Sequence, residues 1–163
     1  MTDSTAPKLT YRQMCHNGAE ILADAGITDA EYDSFALLEY ITGMDRTAYI
    51  LNGSKSVPED IAERYDAVID RRSSHIPLQH ITGQAWFYGR GFNVNSDVLV
   101  PRQDTEVLVS EALKVINAKD SVLDMCTGSG CIIITLALEK KLGRALGADI
   151  SLSLIHISEP TRH

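Results

Sequence analysis

A glycine-bearing turn in the last third of the sequence limits the folds that this chain can adopt. The segment Asp124–Gly130 reads Asp-Met-Cys-Thr-Gly-Ser-Gly. It begins inside a predicted strand, Ser121–Met125, and the apolar stretch after it predicts a helix, Ser129–Leu142. A strand, a glycine turn and a helix direct backbone N–H groups and the positive end of the helix toward one spot. The turn is therefore predicted to hold a polar, nucleoside-type ligand.

An aspartate further along the chain supports this interpretation. Asp149 lies 19 positions beyond Gly130, at the end of the next predicted strand, Ala145–Asp149. A carboxylate at the tip of the second strand can accept both hydroxyls of a ribose. The dinucleotide fingerprint is excluded because Ile133 stands where its third glycine belongs, and no Gly-Lys-Ser/Thr follows as a phosphate loop requires. The turn and the aspartate favour an adenosine-containing cofactor over a purely structural turn.

The N-terminal part predicts a bundle of amphipathic helices with short loops. Apolar residues recur at helical spacing over residues 10–73. Capping boxes, in which a threonine hydroxyl and a later glutamine or glutamate satisfy free N–H groups, are predicted at Thr10–Gln13 and Thr28–Glu31. The helices are expected at about residues 11–25, 29–43, 45–52 and 58–73.

The pattern changes after residue 73. Aromatic and β-branched residues flank Gly89-Arg90-Gly91 and predict a β-hairpin. A helix from about Asp104 to Asn117 leads into a β-α-β unit, which by itself leaves its strands without covering neighbours. The predicted fold class is α/β, with a helical bundle (1–73), a hairpin linker (74–97) and an incomplete parallel sheet (98–151).

Charge and cysteine content narrow the classes of function. The chain carries 15 basic and 22 acidic residues, and its net charge of −7 disfavours non-specific binding to nucleic acid and to anionic membranes. None of its three cysteines has metal-ligand spacing and no histidine pattern suits a metal, so no metal site is predicted. The N-terminus has neither a basic nor an apolar leader region, which predicts a cytoplasmic protein.

Three blocks of sequence together resemble a known family. Val122–Gly130 is similar to motif I of class I S-adenosylmethionine-dependent methyltransferases. With the upstream blocks Pro77–Gly83 and Val98–Glu106, the chain resembles the protein-(glutamine-N5) methyltransferases that modify peptide chain release factors, the HemK family. The resemblance covers residues from about 10 to 151 and implies a helical bundle, a hairpin linker and a Rossmann-like catalytic domain.

The resemblance implies a reaction, a cofactor and a partner. The family transfers a methyl group from S-adenosyl-L-methionine to the side-chain amide of the glutamine in the Gly-Gly-Gln motif of release factors, and the helical bundle would dock the release factor. The residues that it places at the cofactor are Asp124, Cys126, Thr127, Gly128, Ser129, Gly130 and Asp149. Among them, Asp124 would lie near the methionyl end of the cofactor, and Asp149 would hold the ribose hydroxyls.

The chain departs from the family pattern at two positions of these blocks. Cys126 stands where the family usually has glycine, and if this position needs a positive φ, cysteine costs about 1–2 kcal/mol there. Gln103 replaces a proline, with little effect expected. Two roles stay open for Arg102 and Glu106: they brace the cofactor pocket, or they pair with each other at the start of one helix.

The catalytic signature of the family, Asn-Pro-Pro-Tyr, does not occur in the sequence, in which no two prolines are adjacent. That motif grips both hydrogens of the substrate amide. The chain is therefore predicted not to transfer a methyl group by itself, no catalytic residue is assigned, and cofactor binding is expected to be weak or absent. Residues 152–163 resemble the translated read-through of a transposase adapter and are predicted to be an artefactual tail.

Two other interpretations stay open. In the first, the chain is part of a different class I methyltransferase, which acts on nucleic acid, for example on an adenine base. In the second, it is only a helical protein-interaction module. The acidic charge and the lack of a basic strip disfavour the first of these.

Overall fold

A computed structural model describes residues 9–150, and the chain divides after Thr82 into two compact units. The described part of the first unit contains the helices α1 (Tyr11–Asp24), α2 (Ala30–Thr42), α3 (Arg46–Asn52), α4 (Glu59–Ser73) and α5 (Leu78–Thr82). The described part of the second contains β1 (Gln84–Phe87), β2 (Arg90–Asn93), α6 (Gln103–Val115), β3 (Ser121–Met125), α7 (Cys131–Lys140) and β4 (Arg144–Ala148). The predicted artefactual tail, residues 152–163, lies outside the described residues.

One of the two predicted capping boxes is confirmed. The backbone N–H of Gln13 donates to Thr10 Oγ1 over 3.3 Å, and the Gln13 side chain accepts from the Thr10 N–H over 3.0 Å. The box at Thr28 is wrong, because α2 begins one residue later, with Asp29 as its N-cap and no side-chain hydrogen bond there. Acids in the first turn of α2 stabilise this end through the helix dipole instead.

A buried polar network joins three helices of the first unit. Ser34 Oγ donates to the carbonyl oxygen of Cys15 and lies 2.7 Å from the Tyr65 hydroxyl. Tyr65 is only 1% exposed, and this burial raises the pKa of its hydroxyl. A fully hydrogen-bonded polar group inside a core favours one arrangement of the helices around it. The network therefore fixes how α1, α2 and α4 pack together.

Gly18 in the middle of α1 has a packing role. A Cβ at this position would collide with the Tyr65 hydroxyl and would lie only 3.0 Å from Ile69 Cδ1. Glycine is unfavourable inside a helix by about 1 kcal/mol relative to alanine. The close approach of α4 to α1 explains why the sequence has glycine here.

The hairpin of the second unit is confirmed, but its turn is Tyr88-Gly89 rather than residues 89–91. Both turn residues have a positive φ, 51° and 73°, as a two-residue type I′ turn requires. The strands pair antiparallel with Ala85 opposite Phe92 and Phe87 opposite Arg90. This register puts Phe87 and Phe92 on the same buried face, and a slip by one residue would expose one of them.

The strands β3 and β4 pair in parallel, as predicted, and α7 connects them. Val122 on one face packs with the apolar core that α6 and α7 supply. On the opposite face Leu123, Met125 and Leu146 are 57%, 66% and 54% exposed. Parallel sheets are normally covered on both faces, so this face is an apolar surface without cover among residues 9–150.

The predicted α/β class is confirmed, with a helical bundle followed by a hairpin and the start of an α/β domain. Bounds of the predicted elements hold to within about two residues; α7, for example, covers Cys131–Lys140 instead of Ser129–Leu142. The short helix α5 was not predicted. The predicted limits at residues 73, 97 and 151 stay predictions.

We expect Gly18→Ala to lower the free energy of unfolding of the first unit by about 1–3 kcal/mol, the usual cost of overpacking. The Cβ has no room beside the Tyr65 hydroxyl. Urea unfolding followed by circular dichroism measures the change. In a Tyr65→Phe background, which removes the hydroxyl, the penalty should shrink. An equal penalty in both backgrounds would contradict this account.

Candidate cofactor site

The parallel register brings the sequence-predicted residues to one edge of the sheet. Asp124 lies opposite Gly147, and Met125 lies opposite Ala148. The chain then leaves β3 through the loop 126–130 and enters α7, while Asp149 follows the last residue of β4. Because the carboxyl ends of parallel strands meet at the same edge, Asp149 comes to the loop although it lies far along the chain.

The loop follows a backbone path with three positive φ angles. These are 61° at Cys126, 56° at Gly128 and 74° at Gly130. Glycine adopts this conformation at no steric cost, whereas an L side chain does not. Position 126 therefore does need a positive φ. A cysteine occupies this left-handed position, where the family usually has glycine.

Two hydrogen bonds tie the loop to the two aspartates. Thr127 Oγ1 donates to Asp124 Oδ2 over 2.7 Å, and the backbone N–H of Gly128 donates to Asp149 Oδ2 over 2.9 Å. A third bond runs from the Thr127 N–H to the carbonyl oxygen of Ala148 over 3.0 Å. Both carboxylates are half-buried and face the same loop. The structure thus brings Asp124, Thr127, Gly128 and Asp149 together.

Gly147, which was not among the predicted site residues, makes this arrangement possible. A Cβ at this position would lie 2.9 Å from Thr127 Oγ1 and 3.1 Å from Thr127 Cγ2. A β-strand is a poor place for glycine unless another group must approach the backbone closely. The signal available in the sequence was a glycine inside an apolar predicted strand, two residues before Asp149.

The remaining predicted site residues differ in their exposure. Ser129 is 3% exposed, and Gly130 is buried where its N–H donates to the Thr127 carbonyl oxygen. Cys126 is exposed. Cys131, the first residue of α7, is buried, and this burial raises the pKa of its thiol, which therefore stays protonated at neutral pH.

The donor set of this loop fits an adenosine-containing cofactor. A carboxylate has about four lone-pair positions. The bond from Gly128 holds the Asp149 carboxylate at the loop, and a carboxylate is the kind of acceptor that ribose hydroxyls need. At Gly128 the nearest side-chain atom to a hypothetical Cβ is Val98 Cγ1, at 3.8 Å, so a ligand can approach the backbone there. The arrangement can bind and orient a polar ligand.

Glu106 supports the hairpin, which differs from both roles left open by the sequence, bracing of the cofactor pocket and pairing with Arg102. Its Oε1 accepts a 2.7 Å hydrogen bond from the backbone N–H of Tyr88, in the turn of the hairpin. Within residues 9–150 no ion pair joins it to Arg102. A second tie, 2.6 Å between Arg90 Nη2 and Glu139 Oε1, links β2 to α7. The hairpin is thus fixed to the helical layer that supports the candidate site.

The described residues contain no group of three or more histidine, cysteine, aspartate or glutamate residues placed to hold a metal ion. None of their helices is both long enough and apolar enough to span a membrane.

We expect Cys126→Gly to raise the free energy of unfolding of the second unit by about 1 kcal/mol, because glycine removes the strain of the left-handed position. Trp86, the single tryptophan of the chain, lies in β1 and reports on this unit by fluorescence. Cys126→Ala is the matched control, since alanine keeps the strain. Equal stabilities for the glycine and alanine variants would refute this.

Glu106→Ala should lower the free energy of unfolding of the second unit by about 1–3 kcal/mol, the cost of a half-buried N–H left without its partner. Chemical unfolding monitored by Trp86 fluorescence measures it. Glu111→Ala, on the same helix, removes only an exposed pair with Lys114 and should cost about 0.5 kcal/mol or less. Equal unfolding midpoints for the Glu106→Ala and Glu111→Ala variants would show that Glu106 does not support the turn.

The sequence of this chain is similar to those of known proteins. Residues 13–83 match the sequence model of the PrmC N-terminal domain. The release factor glutamine methyltransferase of Neisseria gonorrhoeae is 37% identical over 115 residues, which are 71% of this chain and 42% of that protein. That of Bacillus subtilis is 36% identical over 128 residues (75% and 44%), and that of Streptomyces coelicolor is 38% identical over 135 residues (80% and 46%).

The family model covers the helical unit, and the relatives match 71% to 80% of the chain. The curated relatives are about twice as long as the stretch that matches them. The resemblance drawn from the three sequence blocks is confirmed: the chain belongs to the family of the release factor glutamine methyltransferases.

Proposed function

We propose that this chain belongs to an enzyme that transfers a methyl group from S-adenosyl-L-methionine to the side-chain amide of the glutamine in the Gly-Gly-Gln motif of peptide chain release factors. The observation that carries the proposal is the contact between the Gly128 N–H and Asp149, which joins the glycine loop to the acid of the next strand. The relatives are named as release factor glutamine methyltransferases, which supports the reaction class and the partner.

Different residues at the loop would contact different parts of the cofactor. Asp149 would accept from the ribose hydroxyls while it keeps its bond to Gly128. The backbone of residues 127–130 would lie along the cofactor, and Asp124, held by Thr127, would lie near its methionyl end. When bound, S-adenosylmethionine supplies an electrophilic methyl group on its sulfonium. The protein aligns this group and excludes water.

The organisation of the chain belongs to the same proposal. The helical bundle (1–73) docks the release factor, the hairpin segment (74–97) links it to the catalytic part, and residues 98–151 form part of the cofactor-binding domain. Residues 1–163 contain no Asn-Pro-Pro-Tyr segment. An amide nitrogen is a weak nucleophile that needs both of its hydrogens held. Methyl transfer by these residues alone is therefore not expected.

Titration of the chain with S-adenosylmethionine tests the cofactor site. We expect weak, saturable shifts of the Gly128 and Gly130 amide resonances in ¹⁵N-labelled protein. Asp149→Asn keeps an acceptor for the Gly128 N–H but removes the charge, so it should weaken binding about tenfold or more, as expected when a charge-assisted hydrogen bond is lost. Asp104→Asn, exposed on α6, is the matched control and should leave binding unchanged.

Other outcomes would contradict the proposal in different ways. Absence of any shift at millimolar cofactor would rule out a cofactor site in this chain and leave the protein-interaction module. Equal binding by the Asp149→Asn and Asp104→Asn variants would mean that the ligand lies elsewhere. A third outcome is that the chain binds the cofactor and that a protein containing this chain methylates nucleic acid. This outcome would favour the other class I methyltransferase.

A further inference from the structure

A cleft of about 470 Å³ opens on the first unit between α1, α2 and α3, away from the candidate cofactor loop along the chain. The side chains of its lining that matter here are those of Arg12, His16, Glu31, Phe35, Arg46 and Tyr49. It is large enough to take one or two amino-acid side chains. Neither the sequence motifs nor the proposed reaction assigns it a role.

Aromatic rings position one of the two arginines of this cleft. The Arg46 guanidinium carbon lies 4.6 Å from the centroid of the Phe35 ring, in cation–π geometry. Tyr49 meets the same ring edge-on, with centroids 5.3 Å apart. Phe35 is itself only 7% exposed and so forms a rigid floor. The guanidinium is therefore held in place without a carboxylate.

Backbone packing positions the other arginine. A Cβ at Gly53, the residue after α3, would lie 3.6 Å from Arg12 Nε and 3.7 Å from its Nη2. The Arg12 side chain thus lies beside the residue that follows α3, whereas Arg46 is the first residue of that helix. Two guanidinium groups on different helices line one concave surface.

In the described part of the chain neither guanidinium forms an ion pair. Within residues 9–150 no carboxylate lies within 4.0 Å of Arg12 or Arg46, whereas Arg72 pairs with Asp33 and Arg90 pairs with Glu139. Glu31 is the one carboxylate of the lining, and it leaves the cleft with a net positive charge. This is a local reversal in a chain whose net charge is −7. A guanidinium presents five donors in a fork that suits a carboxylate.

The surface beside the cleft is apolar. Ile50 and Leu51 on α3 are 68% and 74% exposed. Ile50 follows Arg46 by four residues and lies on the same face of the helix. Exposed large apolar side chains next to a cationic pocket fit a protein surface better than a small anion.

We propose that this cleft binds an aspartate or glutamate side chain of a protein partner, with an apolar residue of the same segment on Ile50. The carboxylate bridges the guanidinium groups of Arg12 and Arg46, and Tyr49 lines the wall between them. The identification of the partner as a release factor rests on the proposed function, but the chemistry of the cleft does not.

Binding of a purified bacterial release factor to the 163-residue chain, measured by calorimetry, tests this. We expect Arg12→Gln and Arg46→Gln each to weaken binding about tenfold or more, as for loss of a charge-assisted hydrogen bond. Arg46→Lys should recover only part of the loss, because a point charge replaces the fork. Arg64→Gln, an equal change of charge on the exposed face of α4, is the matched control.

A second probe separates this inference from the proposed function. The acetylated peptide Glu-Glu-Leu-Glu-Glu should shift the Arg12 and Arg46 Nε–Hε resonances, and Gln-Gln-Leu-Gln-Gln should not.

If the acidic peptide binds but the release factor does not, the cleft stands and the proposed partner is wrong. If the release factor binds equally to the Arg12→Gln, Arg46→Gln and Arg64→Gln variants, the cleft inference is wrong and the proposed function is untouched. Shifts with inorganic phosphate but not with the peptide would show that the cleft is a small-anion site and would overturn the cleft inference. If neither the peptide nor the release factor binds, the cleft inference is also wrong.

Discussion

The parallel pairing of β3 with β4 is the constraint on which the candidate site depends. Its register sets Asp124 against Gly147 and delivers Asp149 to the loop that follows β3. The Gly128–Asp149 hydrogen bond can form only in this register, because a shift by one residue would turn the aspartate to the other face. The site is thus built from one crossover, in which the connecting helix α7 covers one face of the strands and begins at the loop itself.

The helical unit depends on a different interaction, the hydrogen bonds of a buried tyrosine. The Tyr65 hydroxyl reaches Ser34 from α4, and Ser34 continues the network to the Cys15 carbonyl on α1. An ion pair of 2.7 Å between Arg72 and Asp33 links the same pair of helices, α4 and α2. Polar contacts therefore specify the packing of helices that apolar contacts alone would hold less uniquely. The cationic cleft lies on the helices that this network orients.

Local signals were predictable from the sequence. The strand Ser121–Met125 was predicted with the bounds that the structure has, because a short apolar run followed by a glycine turn is a short-range feature. The capping box at Thr10 likewise depends on residues three apart. At Thr28 the same pattern failed, because any of several polar residues near a helix start can serve as the N-cap.

Long-range contacts were not predictable in the same way. The bond from Tyr88 to Glu106 spans 18 residues, and no periodicity reports it. Gly147 could be recognised as an anomaly in a strand, but only the structure shows that Thr127 fills its space. The position of Cys126 is the intermediate case: family resemblance marked it as unusual, and its φ of 61° supplies the physical reason.

The exposure of Cys126 makes the loop accessible to direct observation. The other two cysteines of the chain, Cys15 and Cys131, are buried. A maleimide fluorophore or a trifluoromethyl tag would therefore attach at this one position in the folded protein, without prior removal of any other thiol. The residue that departs from the family pattern thus gives the native chain a built-in spectroscopic handle, one residue away from the threonine that Asp124 holds.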